Sequence, residues 1–319
     1  MTGRTPHRAR RTLLAVTGVV AAGALAIGGV VVGLKVLDDR RPVTERCTAA
    51  VDGTSADLTP QQADVAALVA VTAERRGMPA RAATIGLATA SAESHLRNLD
   101  HGDRDSLGIF QQRPSQGWGT EAEVTDPVHA TNAFYDALED VDGYTRMRVT
   151  EAAQAVQRSA FPEGYAPHAT RSGIWASALT GWSPAALTCT LRDVAQPAPA
   201  PDAVAELEGR VVRDLGDLPT RTAGVGAAPQ GRAGVEVDAR GLGGTDPGDA
   251  SAAARSAWSV AQWAVATAST TDAVAVAVDG QVWTRESAAW SRPDEDDDGP
   301  AGAGPPPAPG RVAVTVATS

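Results

Sequence analysis

Ala90-Ser91-Ala92-Glu93-Ser94-His95-Leu96-Arg97-Asn98 is followed, after a short polar interval, by Asp105-Ser106-Leu107-Gly108-Ile109-Phe110-Gln111-Gln112. The first stretch closes an apolar run that begins near Pro79 and carries Ile85, Leu87 and Ala88. A proline at the start and apolar residues at helical spacing predict a helix that delivers Glu93 to its C-terminal end. Residues 95–120 are rich in Gly, Asp, Ser and Arg, which predicts a long irregular segment. Such segments inside compact domains commonly carry function. A carboxyl at the negative end of a helix dipole, among apolar neighbours, can hold its proton and act as a general acid.

Helix signals surround this pair of stretches. Thr59-Pro60-Gln61-Gln62 supplies a cap, a first-turn proline and a capping-box glutamine, with Val65, Leu68, Val69 and Val71 following and Gly77 as the stop. Asp126-Pro127 opens a further helix with Val128, Thr131, Phe134, Tyr135 and Leu138. Thr150 is read as the cap of another, with Ala152, Ala153 and Val156. Residues 59–190 are therefore expected to form a mostly helical domain.

The order of these features resembles the lysozyme-like superfamily, closest to the soluble lytic transglycosylase and goose-type lysozyme branch, over about residues 62–170. The resemblance lies in Glu93-Ser94 ending a helix, the Ser106-Leu107-Gly108-Ile109-Phe110-Gln111 turn, and the Asp126-Pro127-led helix with its asparagine. It implies Glu93 as catalytic acid/base, Ser106 and Gln111 lining a sugar-binding cleft, and Asn132 and Tyr135 supporting it from the next helix. The family's later Ala-Tyr-Asn segment is replaced here by Ala155-Val156-Gln157-Arg158, so Gln157 stands for the amide and Tyr165 follows as the aromatic. The implied substrate is the glycan strand of peptidoglycan, cut at the muramic acid–glucosamine bond, with no cofactor. Ordinary glycoside hydrolysis uses two carboxylates. A lytic transglycosylase manages with one, because the muramic acid's own 6-hydroxyl attacks and leaves an anhydro product. Asp103 and Asp105 are the candidates for a second carboxylate, or else loop residues bonding nearby backbone amides. The competing reading is a non-catalytic wall-binding or scaffolding protein on the same fold, which the altered third motif favours.

Further out, Arg4, Arg8, Arg10 and Arg11 precede 22 consecutive uncharged residues, Leu13 to Leu34. A bilayer core of about 30 Å needs about 20 apolar residues in a helix, and the basic flank stays cytoplasmic. The expectation is a cytoplasmic tail at 1–12, a transmembrane helix at 13–37 that inserts residues 13–34 into the cell membrane, a stalk at 38–58, and an extracytoplasmic body. A cleaved signal peptide is the rival, but Leu34-Lys35-Val36-Leu37-Asp38 offers no small-x-small site. In an oxidising compartment the only two cysteines, Cys47 and Cys189, are a disulfide candidate.

Pro197, Pro199 and Pro201 mark 191–205 as a linker. Residues 206–319 read as a small α+β module. Gly234–Asp238 and Ala273–Val278 are strand-like, Ala252–Ala268 is helix-like, Asp279-Gly280 is a hairpin turn, and Gln281–Arg285 and Arg311–Thr318 return as strands. The acidic, then Pro/Gly-rich stretch at 293–310 is expected to be a disordered loop. The fold class expected is thus an α-rich lysozyme-like domain after one N-terminal transmembrane helix, followed by a small α+β C-terminal module. The net charge is −10, or −14 once the four leading arginine charges are taken away, which argues against nucleic acid as a partner. His95, His101, His129 and His168 have no metal-ligand spacing, so no metal site is expected.

Overall fold

Two aspartate-glycine turns shape the sheets of the computed structural model, which describes residues 43–223, 231–292 and 307–319. Asp52 and Gly53 both take positive φ (50° and 75°), turning β1 (Arg46–Val51) back as β2 (Thr54–Leu58). β1 also pairs antiparallel with β3 (Leu187–Thr190), giving the order β2-β1-β3 with Cys47 directly opposite Cys189. The two cysteines form a disulfide across 142 residues. The stalk expected at 38–58 is therefore a paired, half-buried hairpin from residue 46 onward. Its inward side chains, Cys47, Ala49, Ala56 and Leu58, are small enough that the segment reads as polar.

Between β2 and β3 lie the helices α1 (Pro60–Arg75), α2 (Ala80–Ser94), α3 (Glu121–Thr125), α4 (Pro127–Glu139), α5 (Val149–Gln157) and α6 (Ala169–Leu179). α1 starts on a closed capping box: the Gln62 amide donates to the Thr59 hydroxyl and the Thr59 amide to the Gln62 side chain. Alanine and glycine on the facing surfaces let α1, α2 and α4 approach closely. A Cβ at Gly86 would meet the Tyr135 hydroxyl at 2.6 Å, and that hydroxyl donates to the Val69 carbonyl at 2.9 Å.

The rest of the chain forms α7 (Ala200–Leu215), β4 (Thr220–Ala223), β5 (Arg232–Asp238), α8 (Ala250–Ala266), α9 (Ala268–Thr271), β6 (Ala273–Val278), β7 (Gln281–Thr284), β8 (Ala289–Ser291) and β9 (Arg311–Ala317). Their sheet is antiparallel throughout, in the order β4-β5-β9-β6-β7-β8. The positive φ values of Asp279 (49°) and Gly280 (69°) make the β6–β7 turn.

The expected architecture needs three corrections. First, Pro201 sits in the first turn of α7, so the supposed linker is helical from Ala200 onward. A proline is tolerated there because its missing N–H has no intrahelical partner to lose. Second, the α+β part is not a separate module. Residues Glu45–Ser319 form one unit with a shared core. α8 is buried on most of its circumference, with Trp258, Val260, Trp263 and Val265 all covered. Its Gln262 side chain accepts from the Ala186 and Leu187 amides and donates to the Ala178 carbonyl, while Ser259 donates to Leu179 O at 2.7 Å. Trp290 Nε1 reaches the Leu187 carbonyl at 2.8 Å. Buried Asp214 on α7 takes Arg210, Arg213 and Trp263 Nε1, and Arg210 continues to Asp64 on α1 at 2.8 Å. Third, the single-pass anchor is withdrawn: no helix among the described residues is long and apolar enough to cross a membrane. The positions expected to hold it, with the tail at 1–12, lie outside the described residues, as does 293–306 of the acidic loop.

One contact across the shared core carries a pH prediction. Glu74 at the end of α1 is buried, and its Oε2 takes Arg255 Nη1 of α8 at 3.1 Å. Burial pushes its ionisation up from 4.5 to about 7, against the pull of Arg255. The folded state then binds a proton that the unfolded chain has already released, so stability falls as pH rises through that window. Native protein should lose up to about 3 kcal/mol through this group between about pH 5 and about pH 8, and Glu74→Gln should remove the loss. Chemical denaturation of both at each pH checks it. The native-minus-variant difference excludes His168, whose lowered ionisation acts in the opposite sense. A difference that does not change with pH would refute the prediction.

Candidate active site

α2 ends where the chain enters the left-handed region twice, at His95 (φ 55°) and Leu96 (φ 56°). The Leu96 amide bonds back to Ala90 O and the His95 amide to Ser91 O, closing the helix. Ser94 then fastens the helix end to the loop: its hydroxyl donates to Ile109 O at 2.7 Å and receives the Arg97 amide at 3.2 Å. Leu107 and Gln112 exchange both backbone bonds at 3.0 Å, so the Gly108–Gln111 turn is a small hairpin tip. Gly108 is required there, because its φ is 76° and a Cβ would come within 2.0 Å of Val124 O. Phe110 at the tip is fully buried and stacks on Phe134 of α4 at 4.5 Å. This insertion leaves the Phe110 carbonyl facing α5.

Glu93 sits half-buried on the edge so formed. Its Oε1 accepts the Tyr165 hydroxyl at 2.7 Å and Gln157 Nε2 at 3.1 Å. Gln157 also donates to Phe110 O at 2.8 Å, so one amide ties the end of α5, the hairpin tip and the carboxylate together. Burial pushes the Tyr165 ionisation well above its ordinary range, with Glu93 adding to the rise, so its hydroxyl stays a donor at neutral pH. Glu93 Oε2 has no hydrogen-bond partner among the described residues. The 158–164 loop before Tyr165 is held by Thr150, which donates to Pro162 O at 2.7 Å, and by Gln154, which donates to Ser159 O at 2.9 Å. Thr150 lies inside α5 rather than capping it, because its hydroxyl serves this loop.

The structure thus brings Glu93, Gln157 and Tyr165 into one cluster and places the other named residues elsewhere. Ser106 is buried at the base of the hairpin, with its amide bonded to Asp103 O. Gln111 folds back, donating to Gly108 O at 3.2 Å and His101 O at 3.3 Å. Its side-chain oxygen would meet a Cβ on Gly102 at 1.9 Å, so the loop closes around that glycine. Asn132 bonds Val128 O and the guanidinium groups of Arg75 and Arg76 at the far end of α1. Tyr135 is a core residue with no exposure. Asp105 is clamped by Arg113 Nε on one oxygen (2.7 Å) and the Ser115 amide on the other (2.8 Å). Its bonds to Ser115, then Arg113, hold its ionisation well below the usual carboxylate range. Asp103 is exposed and lies 3.9 Å from Arg104. No group of three or more His, Cys, Asp or Glu side chains among the described residues could hold a metal ion.

Sequence reasoning quoted Ser94 and Phe110 without giving either a role. The hydroxyl directly after Glu93 was the available signal for a tie at the helix end; for the Phe110 carbonyl there was none, since a backbone atom's direction is set by the tip. No protein-family model and no curated protein matches the chain.

Proposed function

We propose that this protein cleaves the glycan strands of peptidoglycan at the muramic acid–glucosamine bond, as a lytic transglycosylase with Glu93 as its acid and base. The observation that carries the reading is the convergence of Tyr165 and Gln157 on Glu93 Oε1, which fixes the carboxyl at the helix end and leaves Oε2 without a hydrogen-bond partner among the described residues. In the first step protonated Oε2 gives its proton to the glycosidic oxygen as the bond from that oxygen to the muramic acid C1 breaks. In the second the carboxylate takes the proton of the muramic acid 6-hydroxyl as that oxygen bonds to C1. The anhydro ring closes, no water is consumed and Glu93 regains its proton. Hydrolysis would need a second group to activate water. Both oxygens of Asp105 are already engaged, which favours the single-carboxylate route.

Digestion of purified peptidoglycan by the full chain, with products read by mass spectrometry, tests this. Anhydro-ended muropeptides are expected. Reducing-end products would replace the transglycosylase assignment with hydrolysis and point to Asp103. No product, with retained glycan binding, would favour the wall-binding alternative.

Tyr165→Phe separates positioning from mere packing. It removes one hydroxyl and keeps the ring, so the fold should hold while kcat falls about ten- to a hundredfold, with KM little changed. An unchanged kcat would remove Tyr165 from the site.

A further inference from the structure

Arg255 is the only charged side chain of α8, and it serves two groups at once. Inward, its Nη1 meets Oε2 of the buried Glu74 at 3.1 Å. Outward, its guanidinium carbon lies 5.1 Å from the ring centre of Trp182, which is 63% exposed. A guanidinium over an indole face is a cation–π contact, and its partner on the other side is a buried carboxyl. One cation thus links a buried acid to a surface aromatic.

The backbone around this link is fixed. Gly181 has φ 75°, and a Cβ there would come within 2.0 Å of Arg255 O, so the loop before Trp182 presses directly on α8. A Cβ on Gly243 would come within 2.1 Å of Glu74 O, so the Ala239–Gly244 turn presses on the end of α1 in the same way. The residues on either side of Trp182 are held without its ring. The Gly181 amide donates to Ala178 O at 2.9 Å, the Ser183 amide to Ser177 O at 3.1 Å, and Ser183 O accepts Gln262 Nε2 at 3.1 Å. The parts left to respond are two side chains, the Arg255 guanidinium and the Trp182 indole.

The other charges on the elements packed against α1 are engaged away from Glu74. From α4, Asp136 and Glu139 bind Arg76. From α7, Arg210 and Arg213 bind Asp214, and Arg75 donates to the Arg213 carbonyl. Arg240 of the Ala239–Gly244 turn binds Asp238, and Arg81 of α2 donates to Met147 O. α6 carries its one arginine, Arg171, in its first turn, at the end away from Trp182. α9 meets α1 through Thr270 and Asp64. Glu74 therefore answers to its burial and to Arg255, and burial pushes its ionisation up to about 7.

We propose that Glu74, Arg255 and Trp182 form a proton-sensitive surface device. With Glu74 ionised, the ion pair holds the guanidinium against the indole. With a solvent proton on the Glu74 carboxylate, the guanidinium has no counter-charge, turns its exposed edge to water and releases the ring. The hold is present above the ionisation of Glu74 and is lost as pH falls through it. The exposed indole is thus fixed on one side of neutrality and free on the other, whatever reaction Glu93 performs.

The test is fluorine NMR of the full chain labelled with fluorotryptophan, followed from about pH 5 to about pH 9. Trp182→Phe identifies the Trp182 resonance among the seven tryptophans. That resonance should shift in one transition centred at about pH 7 and narrow on the acid side as the ring is released. The transition should vanish in Glu74→Gln and in Arg255→Gln. Glu74→Gln keeps an acceptor for Arg255, so it folds even if Arg255→Gln, which strands a buried carboxyl, does not. A Trp182 resonance that stays still in the native chain would overturn the device. So would a transition that survives Glu74→Gln, since another group would then be titrating. A transition lost in Glu74→Gln but kept in Arg255→Gln would also overturn it, because the carboxyl would be acting on the ring without the guanidinium.

Discussion

Glu93→Gln is expected to lower kcat for glycan cleavage by about a hundred- to ten-thousandfold, the range a positioned general acid contributes. The substitution changes little else. The amide oxygen of Gln still accepts from Tyr165 and Gln157, as Glu93 Oε1 does now. The amide nitrogen takes the place of Oε2 and has no proton to give at neutral pH. Folding stability should stay within about 0.5 kcal/mol of native, because no buried group is left without its partner. Glycan binding should persist, since the replaced atom contributes proton transfer rather than area. Turnover on purified peptidoglycan, together with a binding isotherm for the inactive variant, reads both effects. Cleavage near the native rate would show that another group is the acid, and a loss of binding in step with turnover would place Glu93 in recognition instead.

The second large effect is expected at the disulfide. Replacing Cys47 and Cys189 together by Ala should cost about 4–5 kcal/mol in the chain-entropy model, since the bridge closes a loop of 142 residues. For a domain of this size that lowers Tm by roughly 10–15 °C. The loss is local in origin, because the cysteines stand opposite each other where β1 meets β3, and both are fully buried. It is global in effect, because the loop contains the helices that carry Glu93 and Gln157 and the segment that carries Tyr165. Thermal unfolding of the double variant beside the native chain measures it, and a shift of less than about 2 °C would mean that sheet pairing alone holds the two strands.

Much of the helical part was legible because its signals are local. The Thr59 capping box and the Asp126-Pro127 start are chemistry within a few residues, and both occur as the sequence implies. The Asp279-Gly280 turn was readable for the same reason. Asp52-Gly53 carries the same signal and was passed over, because the small residues flanking it looked like a spacer. What buries them is remote: Trp175 of α6 donates to Ala56 O at 3.1 Å across 119 residues. The helices' dependence on α8 was hidden in the same way, since Gln262 meets its four backbone partners only in three dimensions. At the site, Glu93 could be found from its helix end, and Gln157 and Tyr165 from the resemblance. Asn132 and Tyr135 could not be placed, because which face of α4 looks inward depends on how closely Gly86 lets α2 approach.

The position of β9 bears on how the protein is made. Arg311–Ala317 follows every other described strand in chain order, yet lies in the middle of the larger sheet, with β5 on one side and β6 on the other. During synthesis the strands on both sides must wait, unjoined, until this segment leaves the ribosome. α8, which braces the helical part, packs on that sheet and waits with it. The emerging chain therefore spends the interval with strand edges open to other chains, and final packing of the helices against α8 waits for β9.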